Sequence, residues 1–187
     1  KTEIYGSQPL DGVINGDIRL KGYGDPWLVP EKLWYLANRL KYQGVEEIRG
    51  NIAIDESYFE GNLIAAGSEQ DTSSYAYMAP SGALSVGFNA VLVHILASET
   101  PGQPAKIRVE PESAYSVIEG QVDTVSSSRS SISVEVDKGE GKSIIKVSGR
   151  ISQADRTRAY WRRIHHSGLH TGSALKHMLE SMGIRVT

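Results

Sequence analysis

Apolar and polar residues alternate at period two through Asp17-Ile18-Arg19-Leu20-Lys21, the pattern of a half-buried strand. The turn-forming stretch Gly22-Tyr23-Gly24-Asp25-Pro26 follows. Pro30 then opens a helix, with Glu31 suited to the positive end of its dipole. Leu33, Leu36, Ala37 and Leu40 fall at i, i+3, i+4 and i+7 and form one apolar stripe, and Gly44 stops the helix. Ile48, Gly50, Ile52 and Ile54 lie two apart and predict a single strand, completing a helix–glycine–strand unit. The end of the chain repeats this grammar. Leu175, Met178, Leu179 and Met182 form a second stripe, Gly183 stops it, and Ile184-Arg185-Val186 begins a strand. Two such units predict helices packed on a sheet.

The middle of the chain differs. Ala90 to Ala97 is an apolar run interrupted by His94 and reads as a buried strand. From Glu99 to Ser152 no helical stripe occurs; Ile107-Arg108-Val109, Ile132 to Val136 and Ile144 to Val147 read as strands. Gly102, Gly120 and Lys138-Gly139-Glu140-Gly141 read as turns, the last a hairpin tip, and Ser126 to Ser131 is a polar loop. The fold class is therefore α+β: an α/β-type sheet-and-helix domain from residues 1–98 together with 153–187, carrying a β-rich subdomain at 99–152.

Composition narrows the chemistry. The 20 basic and 22 acidic residues leave a net charge of −2, which excludes a broadly basic nucleic-acid binder. With no cysteine, disulfides, thiolate metal sites and cysteine nucleophiles are excluded together. No apolar run approaches the roughly 20 residues of a membrane-spanning helix. The chain begins at Lys1 and carries no signal or transit peptide, as expected of a segment of a longer protein.

Five stretches, in order, resemble a known family. Asp11 to Pro26 ends in a "G-x-G-D-P" turn, and Gly50 to Phe59 follows. Tyr77-Met78-Ala79-Pro80-Ser81-Gly82-Ala83-Leu84-Ser85-Val86-Gly87-Phe88-Asn89 is similar to "Y-x-A-P-x-S-A-L-S-x-N-x-N", and Val147 to Ile151 and Ser173 to Val186 also fit. The likeness is to the class C penicillin-binding proteins, the serine D-alanyl-D-alanine carboxypeptidases and endopeptidases of peptidoglycan. In that family a transpeptidase-like domain is split by a large insertion, and this chain resembles the insertion. The resemblance implies that the Ser-x-x-Lys nucleophile lies before Lys1 and the Ser-x-Asn and Lys-Thr-Gly motifs beyond Thr187. The parent would then be an acyl-serine hydrolase without a cofactor, and this segment a non-catalytic wall of its cleft. Its partners would be the parent's catalytic domain and the peptidoglycan peptide, in an extracytoplasmic location. A stand-alone cell-wall or protein-binding module is the alternative.

The resemblance also implies a binding site. The family's aromatic position before the "A-P" element falls on Tyr77, and Asp71 is the nearest carboxylate. A carboxylate there would pair with the ammonium of a diamino acid while the ring packs its methylenes.

Other motifs read as structure. Ser173-Ala174-Leu175-Lys176 has Ser-x-x-Lys spacing, but Leu175 belongs to the apolar stripe, so Ser173 reads as a helix N-cap with Lys176 exposed. His170-Thr171-Gly172 reads as the capping turn before it. Gly22-Tyr23-Gly24 lacks a third glycine, Trp27 standing in its place, and reads as a tight turn. His166, His170, His177 and Glu180 carry zinc-donor types, yet Gly168 weakens a helix there and the three read as surface histidines. Arg156, Arg158, Arg162 and Arg163 with Tyr160 and Trp161 read as a solvated, partly stacked strand or loop; polyanion contact or docking onto the catalytic domain are the functional alternatives.

Overall fold

Three short strands open the chain: β1 (Thr2–Tyr5), β2 (Val13–Asn15) and β3 (Ile18–Gly22). The computed structural model describes residues 1–59, 79, 82–126 and 129–187. Helix α1 (Pro30–Tyr42) follows β3, with Pro30 in its first turn beside Glu31 and with Arg39 and Lys41 in its last, as the dipole favours. Its stripe buries Leu33 and Ala37, and Val45 N–H closes on Leu40 C=O at 3.1 Å just beyond the helix end.

The single strand expected over Ile48–Ile54 is two, β4 (Glu47–Arg49) and β5 (Ile52–Asp55). Strand β4 runs parallel to β2 and β5 parallel to β3, in the same register on both sides of the break: Ile14 faces Ile48 and Ile18 faces Ile52. At the break the Asp17 carboxylate accepts the Asn51 N–H at 2.7 Å, so a side chain replaces the carbonyl that ladder pairing would have used. Strand β1 adds antiparallel to β3, giving the order β1-β3-β5.

The second core is all β. Strand β6 (Ala90–Leu96) lies between β7 (Lys106–Glu110) and β12 (Thr157–Arg163), antiparallel to both. A second sheet holds β8 (Ser116–Gly120) and β9 (Asp123–Val125), each parallel to β11 (Lys142–Ser152), which forms a hairpin with β10 (Ser131–Gly139). Val93, Ile95, Val134, Ile145, Val147 and Ile151 are buried between the two sheets. The arginine-rich stretch is β12 and its approach: Arg158 pairs with Asp155 at 2.9 Å, and Arg162 lies over the Tyr160 ring and donates to Val134 C=O at 2.6 Å.

Helix α2 (Ser167–Ser181) returns to the first core, burying Leu175 and Leu179, and leads into β13 (Arg185–Val186), parallel to β4. Sequence placed its start near Ser173; it starts at Ser167. The glycines that weaken its propensity are what its packing requires. A Cβ on Gly168 would sit 2.3 Å from Glu56 Oε2, and one on Gly172 2.9 Å from Ile54 Cδ1. The first turn can therefore lie directly on β5, and tertiary contact overrides local preference.

That early start corrects three readings. His170-Thr171-Gly172 is helical rather than a capping turn. Ser173 lies inside the helix and its Oγ accepts the Tyr115 N–H at 3.1 Å, while Lys176 is exposed and pairs with Glu180 at 3.7 Å. His170 is not a surface histidine; it is fully buried against the ring of Tyr115.

Candidate functional site

Asp71 and Tyr77 both lie outside the described residues. The described chain on either side of 60–78 meets the turn after β3. The ring of Phe59 covers Gly24 so closely that a Cβ there would be 2.4 Å from Phe59 Cζ. From the other side, Ala83 C=O accepts the Gly24 N–H at 2.8 Å, and a Cβ on Gly22 would be 2.1 Å from the same oxygen. The Gly22-Tyr23-Gly24 turn is thus a structural clasp, and its glycines serve close backbone approach. Tyr58 adds an edge-on contact with Tyr23, ring centroids 5.4 Å apart.

Two carboxylates stiffen this clasp. Asp25 accepts the Trp27 N–H at 3.1 Å and the Lys32 ammonium at 2.7 Å. Burial opposes its charge, yet the Lys32 hydrogen bond and the Trp27 amide outweigh it and hold its carboxyl below the ordinary value. Asp55 is lowered to about 2, first by the Ser57 hydroxyl at 2.6 Å and the Ser57 amide at 3.0 Å, and further by Lys21 at 3.3 Å.

Two side chains whose roles the sequence did not show hold the start of α2: Glu56 ties it to the end of β5, and Thr171 ties it to residues 82–89. Glu56 Oε1 accepts a hydrogen bond from Ser167 Oγ at 2.9 Å, placing a carboxylate at the positive end of α2. Thr171 Oγ1 donates to Ser167 C=O at 2.8 Å and accepts the Val86 N–H at 3.1 Å. Gly87 N–H then bonds Leu28 C=O at 2.9 Å. Gly87, Phe88 and Asn89 share left-handed φ values of 59°, 57° and 57°, which holds the Phe88 ring outward, 67% exposed. The resemblance places Asn at the position of Gly87, a residue that also tolerates this conformation, and that is the sequence signal for the turn.

Burial alone pushes His170 down to about 4, and neither ring nitrogen has a hydrogen-bond partner among the described residues. His177 pairs with Glu112 at 3.3 Å. Among the described residues no three His, Cys, Asp or Glu side chains are grouped to hold a metal ion, and no helix is long and apolar enough to cross a membrane. Ser173 and Lys176 do not act on each other: the hydroxyl serves Tyr115 and the ammonium serves Glu180.

The comparisons with known proteins agree on one family. A D-alanyl-D-alanine carboxypeptidase of an Actinomadura species is 25% identical over 177 residues, covering 91% of this chain and 32% of its own length. The D-alanyl-D-alanine carboxypeptidase DacB of Haemophilus influenzae is 28% identical over 112 residues, 60% of this chain and 23% of that protein. This chain thus spans a third or less of the curated relatives it matches. The crystal structure of penicillin binding protein 4 (dacB) from Haemophilus influenzae shares the fold, with a TM-score of 0.70 at 21% identity over 99% of this chain and 42% of that one. Its complex with a β-lactam gives a TM-score of 0.62 at 20% identity. The model of the D-Ala-D-Ala carboxypeptidase 3 (S13) family matches residues 1–187, and the chain belongs to that family.

Proposed function

We propose that this chain is the insertion segment of a serine-type D-Ala-D-Ala carboxypeptidase or endopeptidase that acts on peptidoglycan stem peptides outside the cytoplasm. The observation that carries the reading is the family match over residues 1–187 in a chain that covers only part of each relative's length. The nucleophilic serine and its lysine come from a flanking transpeptidase-like domain of the same parent, which forms and hydrolyses the acyl-serine. This segment is inactive by itself and needs no cofactor. Residues 99–152 are its β-rich subdomain on this reading, and they share one core with Val91, Val93, Ile95 and Ile164 of the part built from 1–98 and 153–187.

Its contribution is one wall of the substrate cleft. Asp71 pairs with the ammonium of the stem's diamino acid and Tyr77 packs its methylenes. The clasp at Gly22–Asp25 and the Thr171–Val86 bond support this role, because a binding group needs a rigid base to be positioned.

A fluorescent penicillin should label the intact parent on a serine outside this chain and leave residues 1–187 alone unlabelled. Labelling of Ser173, or a parent that takes no label, overturns the reading; the latter leaves the stand-alone binding module. In the parent, Asp71→Ala and Tyr77→Ala should lower kcat/KM for a peptide with a free side-chain ammonium about tenfold or more, as a lost charge-assisted contact does. The acetylated peptide should be unaffected. Equal losses on both peptides overturn the assignment of Asp71.

A further inference from the structure

The outward face of the β1-β3-β5 sheet is polar, and on it Arg19 stands between Tyr5 and Ala53, its register partners on the two neighbouring strands. These three, with Asp17, Lys21 and Tyr23, line an open groove of about 460 Å³. The groove follows alternate residues of β3, since Ile18 and Leu20 point into the core. Ala53 leaves the floor beside Arg19 open, and Tyr5 and Tyr23 wall it, their hydroxyls 3.0 Å apart.

Among the described residues, every charge on this face except Arg19 has an ion-pair or hydrogen-bond partner. Lys21 meets Asp55 at 3.3 Å, Glu3 takes Lys1 Nζ at 2.7 Å and the Tyr5 hydroxyl at 2.5 Å, and Asp17 accepts the Asn51 N–H at 2.7 Å. Arg19 is exposed, and among the described residues it has neither an ion-pair nor a hydrogen-bond partner. An unpaired guanidinium beside an aromatic wall, over an open floor, presents the planar donor fork that binds a carboxylate bidentately.

We propose that this groove is an anion subsite in which Arg19 binds a carboxylate of a peptide, with the Tyr5 and Tyr23 rings against the peptide's apolar part. The Asp17 carboxylate in the same groove disfavours a dense polyanion, so a peptide carrying one carboxylate fits better than a polyphosphate-like chain. The choice of a wall peptide rests on the proposed function; the subsite uses neither Asp71 nor Tyr77.

The test is an NMR titration of the 187-residue chain with acetyl-D-Ala-D-Ala, its C-terminal amide and inorganic phosphate. The free acid should give saturable shifts at Tyr5, Arg19 and Ala53. The amide, and the free acid on Arg19→Gln, should each bind about tenfold more weakly, with unchanged circular dichroism of the variant. Equal binding of acid and amide, unchanged affinity in Arg19→Gln, no saturable shift, or saturation by phosphate alone would overturn it. Penicillin labelling of the parent is independent of this groove, so failure here with labelling intact removes only the subsite.

Discussion

The Glu56 carboxylate accepts a hydrogen bond from the Ser167 hydroxyl at 2.9 Å, joining the end of β5 to the first residue of a helix 111 residues later. The helix has no side-chain cap of its own, and an acid from another element serves its N-terminus. Glu56→Gln should cost about 1 kcal/mol, and Glu56→Ala about 1–2 kcal/mol, by loss of dipole and hydrogen bond. Urea midpoints with unchanged m-values would measure this, and a midpoint equal to that of the parent sequence would refute the capping role.

Thr171 offers a sharper contrast. Its hydroxyl is the acceptor for the buried Val86 N–H, so Thr171→Val keeps the shape and leaves that donor unpaired. The expected loss is about 1–3 kcal/mol, and Thr171→Ser should recover most of it. Equal stability of the valine and serine variants would show that the hydroxyl contributes nothing.

His170 sets a pH dependence. Its ordinary value of 6.5 falls to about 4 in the folded chain because burial penalises the charged ring. The unfolded chain therefore binds the extra proton first as pH falls. Stability is fully present above pH 6.5 and declines between 6.5 and about 4, with no further loss from this group below that. The total is about 3 kcal/mol. Burial also lowers His165, which acts in the same direction, whereas Asp55 loses its contribution only between its ordinary 3.8 and about 2. His170→Leu should flatten most of the slope between pH 4 and 6.5; an unchanged slope would place the protonation elsewhere.

Phe88 is held in a left-handed conformation with its ring in water. Phe88→Asn should be neutral or stabilising by up to about 1 kcal/mol, since Asn tolerates that φ and little burial is lost. A marked loss of thermal stability would mean that the ring packs against something this conformation was selected to reach.

Periodicity carried much of the first core and of the strands in the second. Leu33 and Ala37 in one stripe and Leu175 and Leu179 in the other are buried as spacing demands. Spacing could not see the break at Asp17–Asn51, because Ile48 and Ile52 keep one period across it while a side chain interrupts the pairing. Nor could it place the start of α2: Gly168 and Gly172 argue against a helix until Glu56 and Ile54 are known to lie on them. The site was legible only through its motif. Residues 82–89 resemble the family element, but Thr171, which holds them, and Glu56, which holds the start of α2, lie far away in sequence, and nothing local marks either role. Arg19 looked like the polar half of an ordinary strand, and only the pairing of its neighbours singles it out.

The meeting of Phe59 and Ala83 on Gly24 has a consequence for how such a protein diversifies. The chain on both sides of residues 60–78 is thereby anchored to one turn of the framework. On the proposed function, grafting a relative's stretch between Phe59 and Ala79 should transfer its peptide preference, while the unfolding transition stays where it was because Phe59 and Ala83 keep their places on Gly24.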